Sequence, residues 1–383
     1  MNSVCEKEEC TACMACVEAC GKSAITVIDH VRNYEAQIDD KKCISCGLCR
    51  KVCQNRKLVY GKKPILWYQG WAKDRSIRNI STSGGFATAI AKKFIEIGGT
   101  VCSCKFQNGS FGFSITDDIS ELKEFAGSKY VKSNPYGIYN AIVEKLCKGR
   151  KVLIIALPCQ IAAVKNFVST DLHKNLYTID LICHGTPSPQ ILSAFLKQYG
   201  YSLTDIKDIW FRGKNNLENK GEKIIVSKNT LDQYTLAFLN SINYTENCYR
   251  CRYARRERIS DLTLGDSWGS SLSNEEKRKG ISLALCMNEK GKYLLDISDL
   301  HLEKVNLEKA IKNNHQLEKP CKKPSVYNSF FKDFEHGYSY NKIVARSLPK
   351  TYINQKIKAV LYRFGFLKKS VDYSISFLIK KKK

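Results

Sequence analysis

Eight of the 18 cysteines in this 383-residue chain fall into two runs. CTACMACVEAC places Cys10, Cys13, Cys16 and Cys20, and CISCGLCRKVC places Cys43, Cys46, Cys49 and Cys53. Each run reads C-x2-C-x2-C-x3-C. Three thiolates at that spacing wrap one face of an iron–sulfur cubane, and the fourth, after the longer step, ligates the neighbouring cluster. The expected ligand sets are therefore crossed: Cys10, Cys13, Cys16 and Cys53 for one 4Fe–4S cluster, and Cys43, Cys46, Cys49 and Cys20 for the other. The second run repeats the first 33 positions later (43 − 10). An internal repeat is far more specific than either run alone. Zinc knots, the competing chemistry, use two C-x2-4-C pairs separated by a longer loop rather than triplets. Small and apolar residues in the first run (Ala12, Met14, Ala15, Val17, Ala19) suit a dry cluster pocket.

One more C-x-x-C pair, Cys248 and Cys251, lies in NCYRCRYARRERISDLTLGDSWG, and no second pair follows it. Partners are offered upstream. KVLIIALPCQIAAVKNFVS reads as a short apolar strand, a break at Pro158 and an amphipathic helix, and NLYTIDLICHGTPSP as a second strand ending at Cys183. A strand–helix–strand unit of this kind has parallel strands and a right-handed crossover. Cys159 and Cys183 then lie just beyond the carboxyl ends of nearby strands, the edge where open α/β sheets hold ligands. Four converging thiolates suit tetrahedral zinc or a third 4Fe–4S cluster. Spacing leaves both open. The redox module upstream favours the cluster, because zinc gives it nothing to pass electrons to.

The elements that position these residues are legible in part. In STSGGFATAIAKKFIEIGGT, Ile90, Phe94 and Ile97 recur at helical spacing before Gly98-Gly99, so Ser81 to Gly85 form a small-residue loop opening a helix. Such a loop can offer backbone N–H groups to a phosphate, or simply cap a helix and allow close packing. TVCSCKFQNGSFGFSIT reads as a hairpin turning at Asn108-Gly109, with Cys102 and Cys104 as buried thiols. Cys5, Cys147, Cys286 and Cys321 have no partner at ligand spacing and read as free thiols.

Hydrophobic residues make up 43% and charged residues 26%, as in ordinary globular proteins. The length allows two or three domains. Cysteine-rich sequence without an export signal points to a reducing, cytoplasmic compartment. No apolar run approaches a membrane span. The net charge of +25 would suit nucleic acid, an anionic membrane or acidic partners, but no nucleic-acid-binding motif is present. Part of the charge is local, with 12 basic residues against one acid between Lys342 and Lys383. The segment from Tyr352 onward interleaves apolar and basic residues. It suits a helix lying on an anionic membrane surface, or equally a solvated or partner-docking tail.

The words STSGGF, GSKYVKS, LPCQIAAVK, LICHGTPSP and CYRCRYARRERISDLTLGDSWG occur in that order. As a set they resemble the beta subunits of coenzyme F420 hydrogenase/dehydrogenase and related ferredoxin-linked flavoprotein reductases, over roughly residues 60–335. The N-terminal module resembles a bacterial two-cluster ferredoxin, although Gly21 and Gln54 stand where such proteins often carry proline. The resemblance implies an α/β flavoprotein domain with a mixed sheet, preceded by a small α+β two-cluster ferredoxin-like domain. It implies FAD and a third cluster on Cys159, Cys183, Cys248 and Cys251. Flavin contacts are implied at Ser83, Gly84, Gly85 and Lys129, with Asp266, Asp261 and Trp268 bordering the same site. Arg252, Arg255, Arg256 and Arg258 could meet phosphates but read better as a solvated, salt-bridged face. His184 reads as a structural hydrogen-bond partner. Leu157 departs from the small residue the family often has there.

The expected division is residues 1–60 for the ferredoxin-like domain, 61–145 and 146–335 for two parts of the flavoprotein domain, and 336–383 for a basic tail. The expected function is an oxidoreductase. Electrons from a redox partner protein or other low-potential donor pass through the clusters to FAD and an organic acceptor that the sequence does not identify. An electron-relay subunit of a larger complex, or a nucleic-acid-binding protein with structural clusters, are the competing functions.

Overall fold

The computed structural model describes residues 3–212, 223–224, 231–364 and 376–379. The N-terminal module pairs two strands, β1 (Ile25–Asp29) and β2 (Tyr34–Ile38), antiparallel, with short helices Ala15–Glu18 and Leu48–Val52. Its internal repeat is conformational as well as chemical. Ala12 and Met14 are left-handed (φ 53 and 61), and so are Ser45 and Gly47 (φ 56 and 74) at the corresponding positions of the second run. Left-handed backbone at a non-glycine residue is strained, and it persists where surrounding structure enforces it.

The larger domain is built on an eight-stranded mixed sheet. Its order is β12 (Leu300–Lys304), β3 (Leu66–Ala72), β11 (Ser282–Cys286), β10 (Leu262–Asp266), β7 (Leu176–Leu181), β6 (Val152–Ala156), β4 (Thr100–Gln107), β5 (Ser110–Thr116). The central four strands, β10, β7, β6 and β4, are mutually parallel, and both flanks are antiparallel. The VLIIA run of β6 is buried throughout, as a central strand covered on both faces must be. The helix Pro158–Phe167 follows it directly, with proline in its first turn where a missing N–H costs nothing. β7 pairs alongside β6 in parallel, so Leu157 and Ile182 leave the sheet at the same edge.

A second, three-stranded sheet joins β8 (Ile206–Trp210), β9 (Lys223–Ile224) and β13 (Ser376–Ile379), with β13 in the middle. The C-terminal region is thus not wholly a tail. In the helix Tyr340–Ser347, Tyr340, Ile343 and Val344 are buried in an aromatic core with Phe195, Tyr234 and Phe330. Nor is the segment after Tyr352 one continuous helix: the helix Pro349–Arg363 ends and a strand forms at Ser376–Ile379. Residues 365–375 and 380–383 of that segment lie outside the described residues.

The module and the domain share one apolar core. Ala12, Ala15, Cys16 and Val52 pack with Ile138, Ile142 and Ile161. The Glu18 carboxylate accepts from the backbone N–H of Gly137 (2.6 Å) and Asn140 (3.1 Å), so a module side chain caps the domain helix Ile138–Cys147. The buried Tyr139 hydroxyl donates to the Cys13 carbonyl.

Candidate functional site

Cys10, Cys13, Cys16 and Cys53 are buried, whereas Cys20, Cys43 and Cys49 are part-exposed and Cys46 is exposed. Burial raises the Cys16 thiol pKa, reinforced by Cys13 and Cys53. Burial likewise raises Cys49, with Cys20 and Cys46 adding to it. Cys53 thus interacts with Cys16 of the first run and Cys20 with Cys49 of the second, and Cys49 also acts on Cys16. One set sits inside, against the domain, and the other at the surface. Cys5 is not the isolated thiol its spacing suggests. It is pushed up to about 12, first by its hydrogen bond with Cys10, and it also contacts Cys53.

Cys159, in the first turn of the helix after β6, and Cys183, two residues past β7, line a cavity of about 60 Å³ together with Cys248 and Cys251. Cys248 belongs to the short helix Glu246–Tyr249, and Cys251 follows it. Burial raises Cys159, and the other three thiols add to the effect. Burial also pushes Cys183 up to about 12, with Cys248 and Cys251 contributing. Four thiols around one hollow are the donor set that zinc or a cubane requires. The cavity wall also holds a cation. Lys132 is 6% exposed, and its ammonium donates to the Thr11 carbonyl at 3.5 Å and Asn247 Oδ1 at 3.4 Å. Its charge lowers the Cys159 pKa against the burial effect. Buried lysine is costly unless anionic groups face it, so its presence fits a thiolate-bound centre. Lys132 lies in the GSKYVKS segment, but nothing in the sequence sets it apart from Lys129. The difference is burial beside the thiols, which composition does not carry.

Glu9, Thr11, Gln54 and Asn55 of the module line the same cavity. Tyr253 is buried between the two regions, with Cys159, Cys251 and Cys13 all raising its pKa after burial itself. Arg258 departs from the solvated face expected of the arginine run. It is 3% exposed and pairs with the fully buried Asp180 at 2.9 Å. Arg252 and Arg256 do form surface pairs, with Glu9 and with Glu308 and Glu318.

A second cavity, of about 550 Å³, opens on the other side of Cys183, and Leu157, His184, Gly185 and Thr186 line both. Ser83 and Gly85 line it, as do Phe86, Ala87 and Thr88 at the start of the helix Phe86–Glu96. Amides in a first helical turn have no intrahelical acceptor and can serve a ligand oxygen. Gly85 caps this helix in the left-handed region (φ 91). Gly84 serves packing: a Cβ there would meet the Gly70 carbonyl at 2.3 Å, and its N–H donates to Ser282 Oγ. Lys129 lines the cavity, but its ammonium donates to the carbonyls of Phe125 (2.8 Å) and Ala126 (2.9 Å) and, at 3.3 Å, of Glu124. Asp266 pairs with Arg212 at 2.7 Å, and Arg212 lies 5.0 Å from the Trp268 ring. Asp266 and Trp268 line the cavity, as do Tyr130 and Phe238, stacked at 4.4 Å. Asp261 lies elsewhere. Its carboxylate accepts from the Thr178 amide, the Thr178 hydroxyl and Asn288, a clamp on β7. His184 has the structural partner expected, Gln316 at 2.7 Å, and burial holds its imidazole pKa down at about 4.

A module with two C-x2-C-x2-C-x3-C sets, docked on a mixed α/β sheet, defines an iron–sulfur electron-transfer protein. Residues 9–56 match the 4Fe-4S dicluster domain family, and residues 149–310 match the family defined by the C-terminal part of the beta subunit of coenzyme F420 hydrogenase/dehydrogenase. The resemblance read from the motifs is borne out, and with it an oxidoreductase-type role. Among solved structures, a chain of the F420-reducing [NiFe] hydrogenase complex of Methanosarcina barkeri is 15% identical, with coverage of 82% of this chain and 97% of that one. The TM-score is 0.45, a likeness too weak to carry an argument. No curated protein matches the chain. Among the described residues, no helix is long and apolar enough to cross a membrane.

Proposed function

We propose that the chain carries electrons from a low-potential donor protein to FAD, and from FAD to an organic acceptor. The observation that carries this reading is contiguity. The exposed thiol set of the module adjoins the buried set, whose loop lines the Cys159/Cys183/Cys248/Cys251 cavity, and that cavity shares a wall with the larger one. Bound 4Fe–4S clusters would supply one-electron steps, and bound FAD would supply hydride chemistry. The protein's part is positional. The first-turn amides of Phe86, Ala87 and Thr88 would hold the FAD diphosphate, and the Tyr130 and Phe238 rings and Trp268 would flank flat aromatic groups. Lys132 offsets the anionic charge of the third thiol set, which is assigned to a third cluster rather than zinc.

Electrons enter at the surface thiols. Cys46, Ile44 and Leu48 are exposed, and residues 41–63 hold eight lysines and arginines and no acid. That surface suits an acidic electron-donor protein. The deciding experiment is Cys159→Ser in reconstituted protein. The module's clusters should still reduce, and FAD should remain bound, but donor-driven flavin bleaching should slow by orders of magnitude. Normal bleaching in a variant that has lost its third cluster overturns the route. Normal flavin reduction with no turnover of any organic acceptor favours the relay-subunit reading.

A further inference from the structure

By spacing Cys321 reads as a free thiol, and His184 and His315 lie 131 positions apart in sequence (315 − 184). The fold brings all three together in the wall between the two cavities. Their ligand atoms lie within 4.8 Å of one another, in the one grouping of three or more such residues, among those described, that is tight enough for a single ion. Two imidazole nitrogens converge on one atom: His184 Nδ1 lies 2.7 Å and His315 Nε2 3.0 Å from Gln316 Nε2. That convergence does not depend on which way the amide is turned. The Cys321 sulfur lies 3.5 Å from His315 Nε2 and donates to the His184 carbonyl at 3.3 Å. Cys321 is buried, held in a segment with Pro320 and Pro324 on either side, and His184 is fixed by following Cys183.

The geometry points to a mononuclear metal site in which His184, His315 and Cys321 hold a borderline-soft divalent cation, zinc by preference. Tetrahedral zinc, with bonds of about 2.0–2.3 Å, wants ligand atoms roughly 3.3–3.8 Å apart. The three need to contract by about 1.5 Å at most. The Gln316 amide occupies the point on which the two rings converge, and it must swing aside for an ion to enter. Two imidazoles and one thiolate match zinc better than magnesium or calcium, which want oxygen ligands. Three protein ligands leave a fourth position, the arrangement of zinc sites that act on a bound molecule. His184 lines both cavities, His315 the larger and Cys321 the smaller, so the site touches the larger cavity on its His315 side. An ion there would polarise an oxygen of whatever acceptor the cavity takes. This role rests on the proposed function, whereas the binding of zinc does not.

The alternative is a strut, in which Gln316 bridges two histidines and no ion enters. The test uses iron-loaded full-length protein, given one equivalent of zinc and passed through gel filtration. Zinc K-edge absorption is blind to iron and reads the ligand shell directly. The expected result is about one retained zinc per chain, with one sulfur and two nitrogens in the shell. Cys321→Ser and His315→Ala should each lose it, and Cys147→Ser should not. Gln316→Ala separates the two readings. It removes a competitor for the site, so zinc should bind about tenfold tighter. In a strut it lowers the melting temperature and leaves zinc unbound. No retained zinc, or a four-sulfur shell indifferent to Cys321, overturns the proposal. A four-sulfur shell with iron at about eight per chain would overturn the third cluster as well, whereas no retained zinc with iron at about twelve overturns this proposal alone, so the two failures are distinct.

Discussion

Replacing Arg258 by methionine should both destabilise the domain and empty the third thiol site. Asp180 is fully buried on β7, three residues before Cys183, and Arg258 lies seven residues after Cys251. The guanidinium meets Asp180 Oδ1 at 2.9 Å, the Tyr253 carbonyl at 2.6 Å and Thr263 Oγ1 at 3.3 Å. It therefore ties the loop carrying Cys248 and Cys251 to the strand carrying Cys183. In Arg258→Met the carboxylate keeps only the Thr263 hydroxyl, at 2.6 Å, as a described side-chain partner. Breaking a buried pair from one side costs about 3–5 kcal/mol, because an uncompensated charge is left behind. At roughly 2 °C per kcal/mol for a domain of this size, the melting temperature should fall by about 6–10 °C. Adding Asp180→Leu removes that charge, and replacing both partners of a buried pair is often near neutral. The double variant should regain most of the loss, less about 1 kcal/mol for the orphaned Thr263 hydroxyl. Differential scanning calorimetry of the four proteins measures the coupling, and iron analysis reads the site. A single variant melting within about 2 °C of the parent, or a double variant no better than the single, would refute the reasoning.

Removing the buried cation in Lys132→Met should lower the midpoint potential of the third cluster, because reduction adds negative charge that the ammonium offsets. A unit charge roughly 8 Å away at an effective dielectric of about 20 is worth about 2 kcal/mol, or roughly 90 mV, and spectropotentiometry would detect a fifth of that. Cys20→Ala should damage the cluster held by Cys43, Cys46 and Cys49 and spare that of Cys10, Cys13 and Cys16. Electron paramagnetic resonance of the reduced protein separates the two, and loss of the buried cluster would reject the crossed assignment. Reduction by an acidic two-cluster ferredoxin should slow about tenfold in the quadruple variant Lys41→Glu, Lys42→Glu, Arg50→Glu, Lys51→Glu, and slow with added salt in the parent. Reduction by dithionite should be unaffected in the same stopped-flow series, and equal slowing of both donors would place the defect in the cluster instead. If the basic C-terminus binds anionic membrane, full-length protein should float with phosphatidylserine liposomes and a chain ending at Pro349 should not, whereas equal flotation would remove that role.

Local chemistry was legible in the sequence where covalent reach decides the outcome. The two cysteine runs bring three thiols each to one side because the chain between them is two residues long. The structure adds that the 33-residue repeat is also conformational, with left-handed backbone at Ala12 and Ser45 and again at Met14 and Gly47. The hairpin at Asn108-Gly109 and the strand–helix–strand unit around Pro158 follow from turn chemistry and apolar patterning. The helix Tyr340–Ser347 carried its apolar i, i+3, i+4 signal too, in Tyr340, Ile343 and Val344, but the surrounding basic charge masks it. Tertiary structure alone decided whatever joins distant segments. Cys183 and Cys248 line one cavity only because β7 runs beside β6 and the helix Glu246–Tyr249 folds back over that edge. Lys132 rather than Lys129 faces the thiols, and Arg258 leaves its charged neighbours for a buried carboxylate. Cys5 and Cys321 have no ligand spacing at all; Cys5 gains Cys10 and Cys53 as neighbours when the module folds, and Cys321 gains His184 and His315 when the turn at His315–Leu317 docks. The physical reason is common to these cases. Proximity along the chain is set by bond geometry, whereas proximity across it is set by sheet order and by which surfaces burial drives together.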